Sequence, residues 1–126
     1  MELGPLAQVL LIMNNYFHDV ATAFLFASAL VMLVMYSSAK KGGEAEVAAL
    51  ARMRPKLTAI ANGAIAWIVI GGVPRTIFYN TLEYPTAEYK GLLLALGVKH
   101  GLMFSLVIAG VVLWTLVRRL LAEQSR

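Results

Sequence analysis

Residues 20–36 decide the fold, since they read VATAFLFASALVMLVMY and contain no charged side chain. Two more runs without charge follow at residues 57–74 and 101–117. Each run approaches the ~20 residues with which an α-helix crosses the hydrocarbon core of a bilayer. A helix satisfies its backbone hydrogen bonds within one segment, and these runs lack the alternation of a barrel strand. We therefore predict an all-α integral membrane protein with three transmembrane helices.

The composition supports a lipid environment and one domain. Of the 126 residues, 60% are hydrophobic and only 14% are charged, which is too apolar for an ordinary soluble domain. No repeat or change of composition divides the chain, so residues 1–126 are expected to form a single domain. The absence of cysteine excludes disulfides, thiolate-bound iron–sulfur clusters and covalently attached c-type haem. The net charge of +4 does not predict nucleic-acid binding, because the basic residues flank apolar runs.

The lysines and arginines predict the direction of the spans. Loops rich in these residues stay in the cytoplasm. Eight of them lie between the first two runs or after the third, namely Lys40, Lys41, Arg52, Arg54, Lys56, Arg118, Arg119 and Arg126. The opposite side has three, namely Arg75, Lys90 and Lys99. We predict an external N-terminus and a cytoplasmic C-terminus, with the first span retained because no positive segment precedes it. A bacterial inner membrane is the expected location.

The boundaries on the external side rest on glycine and proline. The sequence Gly71-Gly72-Val73-Pro74 predicts the end of the second helix. Pro85 predicts the start of the third helix, which would be far longer than a bilayer crossing if it ran without a break to Ala122. A fourth helix, either re-entrant or on the membrane surface, remains open for residues 75–92.

Two histidines are the leading candidates for a functional site. His18 and His100 stand just before the first and third uncharged runs, each of which has seventeen residues. The predicted topology gives these two spans the same direction, so the two imidazoles are expected at the same depth, near the outer leaflet. Two imidazoles on neighbouring helices at one level match the two axial positions of a haem iron. We therefore predict His18 and His100 as metal ligands of one haem b per chain.

Other residues near the histidines fit the same cofactor. Gly97 would let a porphyrin edge approach the backbone, and Phe104 would provide a polarizable wall. Arg75 and Lys99 are the expected partners of the haem propionates, with Asn14 as a neutral donor. Asp19, beside His18, is expected either to pair with Lys99 or to fix the tautomer of an imidazole.

The layout resembles the small haem-b membrane subunits that anchor electron-transfer complexes. The resemblance rests on Tyr16-Phe17-His18-Asp19, on Val98-Lys99-His100-Gly101 and on the number of spans. In such subunits histidines from two transmembrane helices ligate one haem. The resemblance implies electron transfer between a membrane quinol pool and a partner protein, so quinone and a protein partner or homo-oligomer are the expected partners besides lipid.

Two functions of other classes stay open. A non-catalytic membrane subunit or assembly protein would use its external polar residues to bind a partner, because histidines are tolerated at membrane interfaces and Asp–Lys pairs can link helices. A small transporter or metal-handling protein would depend on Asp19 and would need a homo-oligomer to enclose a pathway. A zinc or copper site is disfavoured, since Asp19 points about 100° away from His18 on a helix.

Overall fold

The protein is an antiparallel pair of long helices with a third long helix beside it. The computed structural model describes residues 3–126, apart from the side chain of Leu82. Helix α1 spans Pro5–Lys41, and α2 spans Glu44–Ile77. A π-helical turn, Tyr79–Glu83, and the short helix α3, Tyr84–Tyr89, connect α2 to α4, which spans Leu93–Gln124.

Helices α1, α2 and α4 are each long and apolar enough to cross a membrane. They contain the three uncharged runs of the sequence, which confirms three helices of this kind. The 37 residues of α1 extend over roughly 55 Å, well beyond the ~30 Å hydrocarbon core of a bilayer. In a bilayer α1 must therefore tilt or project. Many large apolar side chains face outward, including Phe24, Ile70 and Ile108, as expected for surfaces in contact with lipid.

The core is made largely by α1 and α2, which pack closely, while α4 lies more loosely against them and mostly along α1. Small residues permit the close approach, since Ala21 of α1 is buried with Ala61 and Ala64 of α2. Towards the C-terminal end of α1, Met32 and Val117 belong to a second buried cluster that includes α4. Helices α1 and α4 run in the same direction, and α2 runs opposite to both.

Helix α2 does not end at Gly71-Gly72-Val73-Pro74 as the sequence predicts, but continues to Ile77. Pro74 removes one helical hydrogen bond and weakens the turn before it. In the same stretch, Nδ2 of Asn14 in α1 donates to the carbonyl oxygen of Gly71 over 2.8 Å. This hydrogen bond joins α1 to α2 beside the proline.

The helix that begins near Pro85 is short and separate from α4. It ends at Tyr89, and its C-terminal cap includes Gly91, whose φ of 65° lies in the left-handed region that favours glycine. The amide of Leu92 donates to the carbonyl oxygen of Ala87 over 2.7 Å, and Gly91 donates to Glu88 over 3.0 Å, which completes a Schellman motif. The chain then turns into α4 at Leu93, so the third long helix is not continuous from Pro85.

Candidate functional site

The two histidines line one cavity of about 460 Å³ at one end of the bundle. We call this end the histidine end and define it by His18, Arg75, Glu83, Lys99 and His100. The walls come from α1, α2, the π-turn and α4, and consist of His18, Ile68, Gly72, Arg75, Thr76, Tyr79, Asn80, Glu83, Lys99, His100, Met103 and Phe104. Five of the residues predicted from the sequence are therefore together, namely His18, His100, Arg75, Lys99 and Phe104.

The common direction of α1 and α4 brings the histidines to one level. Each lies at the beginning of a long uncharged stretch of its helix, residues 20–39 in α1 and residues 101–117 in α4. A contact beside them supports this register, because the hydroxyl of Thr22 lies 3.9 Å from the sulfur of Met103. His18 is almost fully buried, whereas His100 is partly exposed.

His100 has the ring state of a metal ligand. Its Nδ1 lies 2.7 Å from the carbonyl oxygen of Leu96, one turn earlier in α4. A carbonyl oxygen can only accept, so Nδ1 carries the proton and the lone pair of the neutral ring is on Nε2. A hydrogen bond from one ring nitrogen to a backbone carbonyl is the usual way to orient a histidine that binds a metal through the other.

His18 has the opposite ring state. Its Nδ1 lies 3.1 Å from Nη1 of Arg75. A guanidinium has only donors, so Nδ1 accepts and the proton of the neutral ring is on Nε2. The ring also faces the backbone of Ile68, and a Cβ at Gly72 would lie 3.8 Å from Nε2. His18 is thus packed against α2, with its available lone pair already used by Arg75.

Four charged side chains link the helices around the cavity. Arg75 binds Glu83 of the π-turn through two nitrogens, with Nε 2.7 Å from Oε2 and Nη2 in contact with Oε1. Its Nη1 also lies 3.1 Å from Oδ1 of Asp19. The same oxygen of Asp19 accepts from Nζ of Lys99 over 2.5 Å. Two cations and two anions neutralise one another and join α1, α2, the π-turn and α4.

Burial divides this network into two parts. The side chains of Arg75 and Glu83 are only 10% and 14% exposed, whereas those of Asp19 and Lys99 are 49% and 39% exposed. Burial alone would raise the pKa of Glu83, but the hydrogen bonds and charge of Arg75 outweigh it and lower that pKa, with help from the charge of Lys99. Glu83 therefore stays ionised as the fixed counter-ion of Arg75.

Two predicted residues lie outside the cavity wall. Asn14 joins α1 to Gly71 of α2 through the hydrogen bond described above, and is not among the residues that line the cavity. Gly97 is exposed, and a Cβ built there would meet nothing within 4 Å. Both residues therefore lie outside the wall of this cavity.

Glu83 is the main member of the site that the sequence reasoning missed. It follows Arg75 by eight residues, a spacing that predicts no ion pair on a continuous helix, since it corresponds to about 12 Å along the axis. The pair forms because α2 ends at Ile77 and the π-turn that follows brings Glu83 back against Arg75. Ile68, Thr76, Tyr79 and Asn80 complete the same side of the cavity.

The residues of the cavity fit a haem in part. The two imidazoles, two cations and apolar walls are the right chemical set, and His100 already presents a free Nε2. His18 would have to exchange its tautomer before its Nε2 could bind iron. Among residues 3–126 no three histidine or carboxylate side chains converge as a metal site.

Comparison with known proteins identifies no relative from which a function could be transferred. No protein-family model, no curated protein and no solved structure matches this chain.

Proposed function

We propose that the protein is a membrane b-type cytochrome, or a cytochrome-b-like subunit, that holds one haem b at the histidine end. The observation that carries the proposal is the shared cavity, onto which His18 of α1 and His100 of α4 both open. Two imidazoles from parallel helices at one level are the protein's contribution to a bis-histidine haem site. A bound haem would supply one-electron exchange at its iron.

In this proposal His100 would hold the haem iron most readily, since its Nδ1 donates to the Leu96 carbonyl and the lone pair of Nε2 is available. His18 is the second ligand, after the donation from Arg75 to its Nδ1 has been given up and the ring proton has moved from Nε2 to Nδ1. The cost of that exchange makes His18 the weaker ligand. Met103, Phe104 and Ile68 would supply apolar contacts to a bound haem, and such surroundings tune its potential.

Arg75 and Lys99 are the candidates to bind the two propionates. Both side chains already bind carboxylates of the protein. A propionate is also a carboxylate, so it would either displace the protein carboxylate or bind the same cation beside it. Lys99 is the more accessible of the two and its partner Asp19 is half exposed, so this pair can exchange at lower cost. Arg75 binds Glu83 through two nitrogens and is therefore held more rigidly than Lys99.

The cellular setting belongs to the proposal as well. The excess of lysine and arginine at the other end of the bundle favours an external N-terminus and a cytoplasmic C-terminus, in a bacterial inner membrane. The cavity would then lie toward the outer leaflet. Electrons would pass between a quinol pool and a protein partner or a second copy of the chain.

The test is a visible spectrum, oxidised and dithionite-reduced, of the protein purified after expression with ample haem. The wild type is expected to show a sharp reduced haem band. His100→Ala is expected to lose it, and His18→Ala to lose the low-spin band while keeping some weakly bound haem. Met103→Ala, which also enlarges the cavity but removes no nitrogen ligand, is the control and should keep the wild-type band.

A second candidate is a non-catalytic membrane subunit. The observation that favours it is the ion-pair network, in which Asp19, Arg75, Glu83 and Lys99 all satisfy one another without any ligand. In this function His18 is a packing residue between α1 and α2. A colourless wild type, with His18→Ala and His100→Ala variants that keep complementing function in cells, would favour this candidate over the cytochrome.

A further inference from the structure

A second cavity, of about 320 Å³, lies between α2 and α4 at the opposite end of the bundle. We call this the basic end and define it by Lys40, Lys41, Arg54 and Arg118. The cavity exists because α2 and α4 make little direct contact along their length. It shares no residue with the cavity of the histidine end, and the inference drawn from it does not rest on haem binding.

The chemistry of this cavity changes along its axis. Arg54 of α2 and Arg118 of α4 are on the side of the basic end, and Ile65 and Val107 line the part nearer the middle of the bundle. The eleven residues from Arg54 to Ile65 correspond to roughly 16 Å of helix. The cavity is thus cationic where it meets the membrane surface and apolar towards the hydrocarbon interior.

The two arginines have no carboxylate partner within the part of the chain that the structure describes. This distinguishes them from Arg75 and Lys99, which are both paired. Arg54 is also partly buried, so its guanidinium has lost some of its contact with water without gaining an anion. Unpaired guanidiniums at the mouth of an apolar cleft favour an anion that carries an apolar chain.

The indole of Trp114 forms a fixed wall just inside the arginines. Its Nε1 donates to the hydroxyl of Thr58 over 2.7 Å, which connects α4 to α2 across the cavity. Gly110, one turn away, lies beside the same ring, where a Cβ would make an ordinary van der Waals contact at 3.7 Å. Tryptophan is common at the level of lipid headgroups, where an apolar body and one polar N–H are both satisfied.

We propose that this cleft binds an anionic phospholipid, with its phosphate between Arg54 and Arg118 and an acyl chain along Ile65 and Val107. Guanidiniums bind phosphate oxygens in pairs of parallel hydrogen bonds, and basic pockets between transmembrane helices are known to hold anionic headgroups. The acyl chain covers the apolar wall that the separation of α2 and α4 leaves open.

The test uses Trp114 as the reporter. The chain has two tryptophans, so Trp67→Phe leaves Trp114 alone, and phenylalanine keeps an aromatic ring beside Phe17. This protein is placed in phosphatidylcholine vesicles that contain a small fraction of either phosphatidylglycerol or phosphatidylcholine with brominated chains. Brominated phosphatidylglycerol is expected to quench Trp114 at a roughly tenfold lower mole fraction than brominated phosphatidylcholine.

Matched variants distinguish lipid binding at this cavity from a general effect of positive charge on the protein. Arg54→Gln with Arg118→Gln is expected to abolish the preference for phosphatidylglycerol. Arg52→Gln with Arg119→Gln removes the same net charge from neighbouring positions that do not line the cavity, and should keep the preference. Equal quenching by the two lipids in the starting protein, or equal loss in both double variants, would overturn the proposal.

A free anion is distinguished from a lipid by competition. Excess inorganic phosphate is expected to leave most of the quenching in place, because the acyl chain contributes to binding. Complete reversal by phosphate would assign the arginines to a soluble anion and would contradict lipid binding.

Discussion

Arg75 donates a hydrogen bond to Nδ1 of His18 over 3.1 Å and thereby holds the ring in the tautomer that is unsuited to binding iron through Nε2. His100 has the complementary state, since the Leu96 carbonyl holds its proton on Nδ1. The two candidate ligands are therefore unequal before any cofactor arrives. Binding of haem between them must change Arg75 and His18, but need not change His100.

The first prediction concerns these tautomers. In protein expressed without haem and labelled with ¹⁵N-histidine, we expect His18 to be protonated on Nε2 and His100 on Nδ1. Long-range ¹H–¹⁵N spectra distinguish the two forms, and the chain has only two histidines to assign. A His100→Gln variant identifies the remaining signal. The same tautomer at both positions would contradict the hydrogen-bond arrangement described here.

The second prediction concerns the buried pair of Arg75 and Glu83. Arg75→Met leaves the largely buried Glu83 carboxylate without a partner, so we expect a loss of about 3 kcal/mol in the free energy of unfolding in detergent. The double variant Arg75→Met with Glu83→Gln should be clearly more stable than the single variant, because no unpaired charge remains.

The matched control for this pair is Lys99→Met. Lys99 and Asp19 are considerably exposed, so their separation should cost less than about 1 kcal/mol. If the Arg75 and Lys99 variants were equally destabilised, or if Glu83→Gln added its own loss to that of Arg75→Met, Arg75 and Glu83 would not act as a coupled buried pair.

The third prediction is a pH dependence that comes from Glu83. Its pKa in the folded protein lies below the ordinary value of 4.5, and folding therefore favours the ionised carboxylate. The resulting stabilisation is complete above the unfolded pKa and is lost as the pH falls through the folded pKa. In unfolding measurements from neutral to acidic pH, Glu83→Gln should be less stable than the wild type at neutral pH. The difference should shrink in acid, whereas a constant difference would contradict this role.

The fourth prediction concerns topology. The chain has no cysteine, so Lys41→Cys and Lys90→Cys each introduce one thiol at an exposed position. An impermeant maleimide added to intact cells should label the cysteine at position 90 and should reach position 41 only after the membrane is opened. The reverse pattern would place the histidine end in the cytoplasm.

The sequence was a good guide to the three long helices and to the common level of the histidines. Uncharged runs have lengths that a bilayer dictates, and one such run follows each histidine, residues 20–39 after His18 and residues 101–117 after His100. A histidine at the start of each run is therefore expected near the same end of the bundle when the two helices run in one direction. The meeting of His18 and His100 at one cavity follows once α1 and α4 run in the same direction.

The polar details of the site could not be predicted in the same way. Local rules end a helix at Gly71-Gly72-Val73-Pro74, but α2 continues to Ile77. That extension turns Arg75 into a helical residue, and the π-turn that follows brings Glu83 against it. The hydrogen bond from Asn14 to Gly71, 57 residues apart, depends on contact between helices and could not be predicted from local sequence.

The central claim is that the chain holds one haem b, and the most direct measurement is the haem content of the purified wild type by the pyridine haemochrome spectrum. We expect close to one haem b per chain after expression with ample haem, with a low-spin spectrum typical of two imidazole ligands. A purified, folded protein with negligible haem under the same conditions would contradict the claim, and the ion-pair network would then be the main role of the histidine end.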